Sequence, residues 1–244
     1  MVRLCTVVLR WAPGGPSRLL ALRDELVGRP FDDPDRHWPD QPDAVGGRDR
    51  LAGGSWCVTD VATGVAGLVL NRPERREAAP GAPSRGVLPL LATRYGPDWA
   101  EHVPLAGMAS FTLLLVTPDA VTRWTFDGRD LRAEALPPGT SMTTSGGPED
   151  GREQRYLAGF AAADPPGGWL AMVRESAPAD DPAALLVRHR HGDRVFATVF
   201  GQLIEARPGA VDIAYSRTPG EAESWARRTW TAASARPRPQ LSPP

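Results

Sequence analysis

The sequence contains no lysine, and its other scarcities exclude several classes of protein. All 28 lysine-or-arginine positions are arginine, which with abundant alanine, glycine and proline indicates GC-rich, bacterial codon usage more than selection for function. The two cysteines are too few for a disulfide framework, so a reducing, cytoplasmic setting is expected. A net charge of −1 is unlike the basic surplus of proteins that bind nucleic acid or anionic membranes.

Long apolar segments are also missing. No segment approaches the roughly 20 apolar residues that a membrane-spanning helix needs. Arg10 and Pro13 interrupt the first apolar run, which therefore does not read as the h-region of a secretory signal. At 244 residues and 41% hydrophobic, the chain fits one compact domain, expected over 1–235. The proline-rich residues 236–244 are predicted to be a disordered tail.

Short β-patterned runs separated by turn residues dominate what is present. The patterns predict three hairpins: Leu4–Trp11 with Arg18–Arg23, Ser55–Val61 with Val65–Asn71, and Val195–Arg207 with Val211–Ser216. They predict a meander of three strands, Ser110–Thr117, Val121–Phe126 and Leu131–Ala135. They also predict three helical segments, which are Val87–Arg94 with Ser84 as its cap, the segment around Trp99, and Gly151–Ala163. Residues 30–50 are predicted to be a long irregular loop, because they are rich in proline, aspartate and glycine. Many antiparallel hairpins and few helices predict an α+β fold.

One segment combination points to chemistry. Cys5 lies on the first apolar run, and Arg23 and Asp24 follow on the next one. A thiol near the start of a chain can share a site with a free α-amino group, which would act as its base. A lone cysteine on an apolar strand is more often a small core residue, which is the interpretation we give to Cys57.

Five segments in order resemble the NRDE family, which includes the Transport and Golgi organisation protein 2 homologues. They are Cys5 with its apolar run, Leu20–Glu25 with Arg29-Pro30, Gly46–Asp49 with Ala52–Trp56, Gly67–Asn71, and Ser84–Gly86. The resemblance covers roughly residues 4–95 and extends more distantly to choloylglycine hydrolases and penicillin V acylases. It implies the four-layer αββα sandwich of N-terminal nucleophile hydrolases.

The resemblance also implies roles for individual residues. Cys5 would be the nucleophile, Arg23 would polarise the thiol region, Asp24 would hold the α-amine, and Asn71 would supply an oxyanion-hole amide. Adjacent residues of a strand point to opposite faces, so Asp24 and Glu25 should differ, with Asp24 facing the site.

Three further residues are predicted to help bind the ligand. Ser145 stands where the family tends to have an asparagine, Arg194 would be the last arginine of the acylase set, and Trp38 would line the mouth of the pocket. No metal or other cofactor is expected. His189 and His191 lack a third ligand of suitable spacing, and a solvated turn is the preferred interpretation of that segment.

Two functions remain open from the sequence. The first is a cysteine amidohydrolase that cleaves a linear, non-peptide amide or another acyl bond of a small molecule. The second is a non-catalytic binding or trafficking protein for haem or an acyl-lipid-type ligand. The start of the chain discriminates them: initiation at the Leu4 codon and removal of the initiator would expose the α-amine of Cys5, whereas an intact Met1–Leu4 extension favours binding. The oligomeric state is not indicated.

Overall fold

In the computed structural model, two antiparallel β-sheets face each other across a shared core. The structure describes residues 5–72, 78–147, 151–181 and 183–232. The N-terminal extension Met1–Leu4 and the expected tail, 236–244, lie outside these residues. In this described part of the chain, no helix combines the length and the apolar character needed to span a membrane.

The first sheet contains the N-terminal hairpin. Its seven strands, numbered in chain order, are β1 (Thr6–Trp11), β2 (Ser17–Leu26), β10 (Gly139–Thr144), β11 (Arg188–His191), β12 (Arg194–Arg207), β13 (Ala210–Ser216) and β14 (Ala226–Thr231). The spatial order is β10-β1-β2-β12-β13-β14, with β11 paired to β12. Strand β1 therefore lies between β2 and β10, which places the residue before it, Cys5, inside the sheet rather than at its edge.

The second sheet follows chain order throughout. Its seven strands are β3 (Phe31–Asp35), β4 (Ala44–Asp49), β5 (Cys57–Asp60), β6 (Ala66–Asn71), β7 (Phe111–Val116), β8 (Val121–Phe126) and β9 (Leu131–Leu136). Three α-helices complete the described fold: α1 (Leu88–Tyr95), α2 (Arg152–Ala162) and α3 (Gly167–Arg174).

Side-chain alternation in the strands divides the core into layers. In β1, Val7 and Leu9 point into the core between the sheets, whereas Val8 packs with Phe160 and Trp169 on the helical side of the first sheet. A third cluster joins α1 to the outer side of the second sheet. The structure is thus an α+β sandwich of antiparallel sheets, as predicted.

Most predicted elements are present, with boundaries shifted by a few residues. The three hairpins, the meander and the three predicted helical segments form, the one around Trp99 as a 3₁₀ helix, Gly96–His102. Ser84 accepts a hydrogen bond from the Gly86 N–H at 3.2 Å and caps the 3₁₀ turn Arg85–Val87, which leads into α1.

The prediction of an irregular loop over 30–50 is wrong, because this stretch contains β3 and β4. Strand β3 includes Pro34, which a sheet tolerates at its edge, and β3 is the edge strand of the second sheet. Strand β4 includes Gly46 and Gly47. A Cβ at Gly46 would meet the carbonyl oxygen of Cys57, so glycine is there for close packing rather than for a loop.

Other elements carry weak sequence signals. Strands β10 and β14 and helix α3 were not expected. The segment of His189 and His191, predicted to be a turn, is β11, and its register pairs these residues with Phe196 and Arg194 of β12.

Candidate functional site

Cys5 lines a cavity with a volume of about 140 Å³ between the sheets. It is half-buried, immediately precedes β1, and packs against the inter-sheet core. Its thiol donates to the main-chain carbonyl oxygen of Asp24, with a sulfur–oxygen distance of 3.7 Å. Cys57 is also a free thiol, but it is fully buried in the core, as predicted.

The pairing of β1 with β2 brings Arg23 beside Cys5. The register matches Thr6 with Leu22, so the next step of the ladder places Arg23 across from Cys5 on the inter-sheet face. Arg23 is buried, and its Nη2 lies 3.3 Å from Glu25 Oε2 and 3.3 Å from Asp49 Oδ2. Its guanidinium carbon lies 4.5 Å from the centre of the Trp56 ring. Burial lowers the pKa of Arg23, and the neighbouring acids oppose that shift.

Asp24 points to the other face of the sheet. Its Oδ1 accepts a hydrogen bond from Thr198 Oγ1 at 2.6 Å, and its Oδ2 lies 3.8 Å from Arg152 Nη1. The carboxyl group is buried, and desolvation raises its pKa to about 7 against the opposing effects of Thr198 and Arg152. Asp24 thus reaches Cys5 through its main-chain carbonyl, whereas Glu25 is the acid that shares the inter-sheet face with Arg23.

Arg152 is a site residue that the sequence analysis missed. It is fully buried at the start of α2, and its Nη1 donates to Thr6 Oγ1 at 2.9 Å. This contact ties the helix to the residue that follows Cys5. A signal was present, because Arg152, Tyr156 and Phe160 recur at the i, i+4 spacing of the buried helix face.

Polar contacts between the motif segments form another part of the cavity lining. Arg29 binds both oxygens of Asp49, at 2.6 and 3.1 Å, and Asp49 also accepts from the N–H groups of Leu51 and Ala52. Arg85 donates to the Ser110 carbonyl oxygen at 2.7 Å. Arg29, Asp49 and Arg85 lie in the motif segments, but no local pattern predicts that they line one cavity.

Asn71 lies at the C-terminal end of β6, as predicted, and it is half-buried in the cavity lining. Asn71 was expected to point inward, but Leu70 points into the inter-sheet core, so alternation places Asn71 on the outer face of β6 with Val69, which packs against the α1 cluster. Asn71 and Val69 both line the cavity. Its role as an oxyanion donor stays a prediction.

The cysteine thiol is neutral near pH 7 in this arrangement. Burial raises the pKa of Cys5 to about 11, and the negative charge of Asp24 adds to the rise. The hydrogen bond to the Asp24 main chain and the positive charge of Arg23 oppose it. The site therefore needs a proton acceptor before the sulfur can act as a nucleophile.

The three predicted binding residues lie outside the cavity lining. Trp38 does not line this cavity, because it packs in a small core cluster with Ala44, Val58 and Leu90. Its indole N–H donates to the Gly53 carbonyl oxygen at 3.2 Å. Arg194 is exposed at the start of β12, opposite His191, and is not a cavity residue.

Ser145 is closer to the site than the other two. Its N–H donates to the Cys5 carbonyl oxygen at 3.0 Å, which extends the β1–β10 ladder by one step. Ser145 is buried, its hydroxyl has no hydrogen-bond partner among the described residues, and it does not line the cavity. In the same described ranges, no group of three or more histidine, cysteine or acidic residues could hold a metal ion.

Comparison with known proteins gives one kind of match. No family model matches the chain, and no curated protein matches it. Among solved structures, it is similar to a Caenorhabditis elegans N-acylethanolamine-hydrolyzing acid amidase (NAAA) ortholog, with a TM-score of 0.48 and 10% sequence identity over 94% of this chain and 100% of that one. The NRDE resemblance therefore rests on its motifs, and the geometry around Cys5 is the basis for assigning a function.

Proposed function

We propose that the chain is an NRDE-type cysteine amidohydrolase of the four-layer αββα class, acting on a linear, non-peptide amide of a small molecule. The observation that carries the proposal is that Cys5 is the cysteine in the cavity wall, with Arg23 across from it on the neighbouring strand. In the first step, the Cys5 sulfur attacks the amide carbon, a thioester forms and the amine leaves with a proton. In the second step, water attacks the thioester, the acid is released and the thiol regains its proton.

The surrounding charges support this chemistry in part. The positive charge of Arg23 favours the thiolate of Cys5. Asn71 lines the same cavity, and in this proposal its amide donates to the oxyanion. Because the thiol pKa is about 11, a base is required. The α-amine of Cys5 is the base that we propose, and it is available only when residues 1–4 are absent from the mature chain. An amide nitrogen in a peptide bond cannot accept the proton.

A binding function is the second candidate. The observation that favours it is the high pKa of Cys5, which keeps the sulfur unreactive while residue 4 is attached. The cavity volume of about 140 Å³ is smaller than the roughly 300 Å³ at which small-molecule pockets usually begin. A small acyl-type ligand therefore fits the cavity better than haem.

The test compares two forms of the protein, one beginning at Cys5 after initiator removal and one retaining Met1. The form beginning at Cys5 should hydrolyse members of a panel of linear amides and give a thioester adduct on the Cys5 peptide by mass spectrometry. Cys5→Ala should abolish both signals, whereas Cys57→Ala serves as the matched control because Cys57 lies in the core. Amide hydrolysis by material with an intact Met1 would rule out the free-amine mechanism. Binding of acids without turnover by either form would leave the binding function.

A further inference from the structure

Strand β9 leaves one edge of the second sheet open. Among the described residues it pairs with β8 alone, and its residues 132–135 are exposed. Its register with β8 is continuous, and it contains no proline. No residue of β9 lines the cavity around Cys5, so an interaction at this edge is independent of the proposed function.

The strand at the other end of the same sheet, β3, is protected against pairing. It contains Pro34 and has a register shift against β4, and both features oppose the addition of another strand. It is also tied to β14 of the first sheet, because Asp35 pairs with Arg228 at 3.0 Å and Arg36 donates to the Thr231 carbonyl oxygen at 2.8 Å. Strand β9 has neither the proline nor the register shift, and an open strand edge of this kind is a template for pairing with another chain.

The backbone of β9 presents alternate residues to the open edge. At the turn between β8 and β9, the Asp127 N–H donates to the Asp130 carbonyl oxygen at 3.3 Å. Hydrogen-bonded and non-hydrogen-bonded pairs alternate in an antiparallel ladder, so the N–H and C=O groups of Arg132 and Glu134 point to β8. The residues whose backbone groups point to the open edge are Leu131, Ala133 and Ala135.

The side chains of β9 are complementary to those of a second copy of the same strand. When two copies pair antiparallel with Ala133 opposite Ala133, Leu131 lies opposite Ala135, and the outward backbone groups meet. In this register, Arg132 of each copy lies opposite Glu134 of the other. These are the non-hydrogen-bonded pairs, in which the side chains are closest, and opposite charges stabilise such cross-strand pairs.

We propose that the chain forms a symmetric dimer through β9, in which the second sheets of two copies join into one continuous antiparallel sheet. An edge that only avoids pairing carries like charges, which repel each other across a two-fold axis, whereas Arg132 and Glu134 attract each other there. Glu134 also pairs with Arg123 of its own copy at 2.6 Å, so the dimer places its carboxylate between two guanidinium groups.

Analytical ultracentrifugation of the full chain over a range of concentrations measures the association. Wild type should show a concentration-dependent equilibrium between monomer and dimer. Arg132→Glu makes both charges of the edge negative and Glu134→Arg makes both positive, so either variant should raise the Kd of the dimer at least about tenfold. Arg190→Glu is the matched control, because Arg190 is exposed on β11 of the other sheet, and it should leave the Kd unchanged.

Mixing the two charge-reversed variants distinguishes edge pairing from a general loss of association. The acidic edge of one variant complements the basic edge of the other, so the mixture should form a heterodimer with a Kd close to that of wild type. The double variant Arg132→Glu/Glu134→Arg restores complementarity within one chain and should dimerise by itself. A wild type that stays monomeric, a dimer that neither reversal weakens, or a mixture that stays monomeric would overturn the inference.

Discussion

Asp24 and Glu25 are adjacent in β2, and their carboxylates contact opposite layers of the protein. Asp24 faces the helical side, where Thr198 donates to it at 2.6 Å. Glu25 faces the inter-sheet side, 3.3 Å from Arg23. Sequence alternation predicted that the two acids would differ. The structure places the Asp24 carboxylate on the helical side of the first sheet, whereas the Cys5 sulfur lies on the inter-sheet side.

Replacing Asp24 should make Cys5 more reactive. The negative charge of Asp24 raises the pKa of Cys5, which is about 11, and does so more than the charge of Glu25. Asp24→Asn should therefore lower the thiol pKa and increase the rate of alkylation at pH 8, by about tenfold for each pKa unit. Iodoacetamide labelling of the Cys5 peptide as a function of pH measures this. Glu25→Gln is the matched control and should shift the profile less; an equal or larger shift would contradict the assignment.

Asp24 should also make the stability depend on pH. Burial raises its folded-state pKa to about 7 from the ordinary value of 3.8, so the folded protein retains a proton that the unfolded chain releases. The resulting loss of stability is absent below pH 3.8, grows as the pH rises and is complete above about pH 7. Between pH 5 and pH 8, wild type should lose on the order of 2 kcal/mol that Asp24→Asn does not lose. Urea unfolding at both pH values tests this, and parallel stability changes in the two proteins would refute it.

Removing the charge of Arg152 should destabilise the fold. Arg152 is fully buried and donates to Thr6 Oγ1, so Arg152→Met leaves this buried hydroxyl and the Asp24 carboxyl group without their arginine partner, which costs about 1–3 kcal/mol for each buried polar group. Arg155 is three residues further along the same helix and forms an exposed pair with Asp181 at 2.7 Å. Arg155→Met should change the free energy of unfolding by less than about 1 kcal/mol. Chemical denaturation of both variants measures the difference between their free energies of unfolding. This difference should be absent if Arg152 is only a packing residue.

Asn71→Ala tests the predicted oxyanion donor. If the amide stabilises the tetrahedral intermediate, its loss should reduce kcat by about 10²–10³-fold with little change in KM. Because Asn71 is half-buried at the end of β6, the melting temperature should stay close to that of wild type. Steady-state kinetics and thermal melting together decide the role. An unchanged kcat in a folded, active background would remove Asn71 from the mechanism.

Gly54→Val should impair folding rather than binding alone. A Cβ at Gly54 would collide with the Gly86 carbonyl group, which accepts a hydrogen bond from the Ser55 N–H at 2.8 Å. This contact joins the segment before β5 to the turn before α1. Gly167→Ala is the control, because a Cβ there meets open space. Gly54→Val, but not Gly167→Ala, should reduce the yield of soluble protein or lower the Tm by several degrees. Normal solubility and melting of Gly54→Val would contradict the prediction.

The sequence by itself determined the local elements of this protein. Period-2 alternation and turn residues were sufficient for the hairpins and the meander, because these pairings are between neighbours in the chain. The 3.6-residue pattern was sufficient for α1 and α2. The position of Cys5 before the first strand, with Arg23 on the next one, follows from hairpin register alone.

The tertiary structure decided everything that depends on distant pairing. Strand β3 contains Pro34, and apart from Met142 β10 consists of glycine and hydroxyl residues, so their strand character comes from the sheets that they join. Trp38 became a core residue because β4 and β5 cover it. Arg152 lies beside Asp24, more than a hundred residues apart in the chain, because α2 packs on the sheet behind β1. Local sequence patterns do not predict contacts between distant segments. Those contacts are determined by burial and charge pairing in the folded protein.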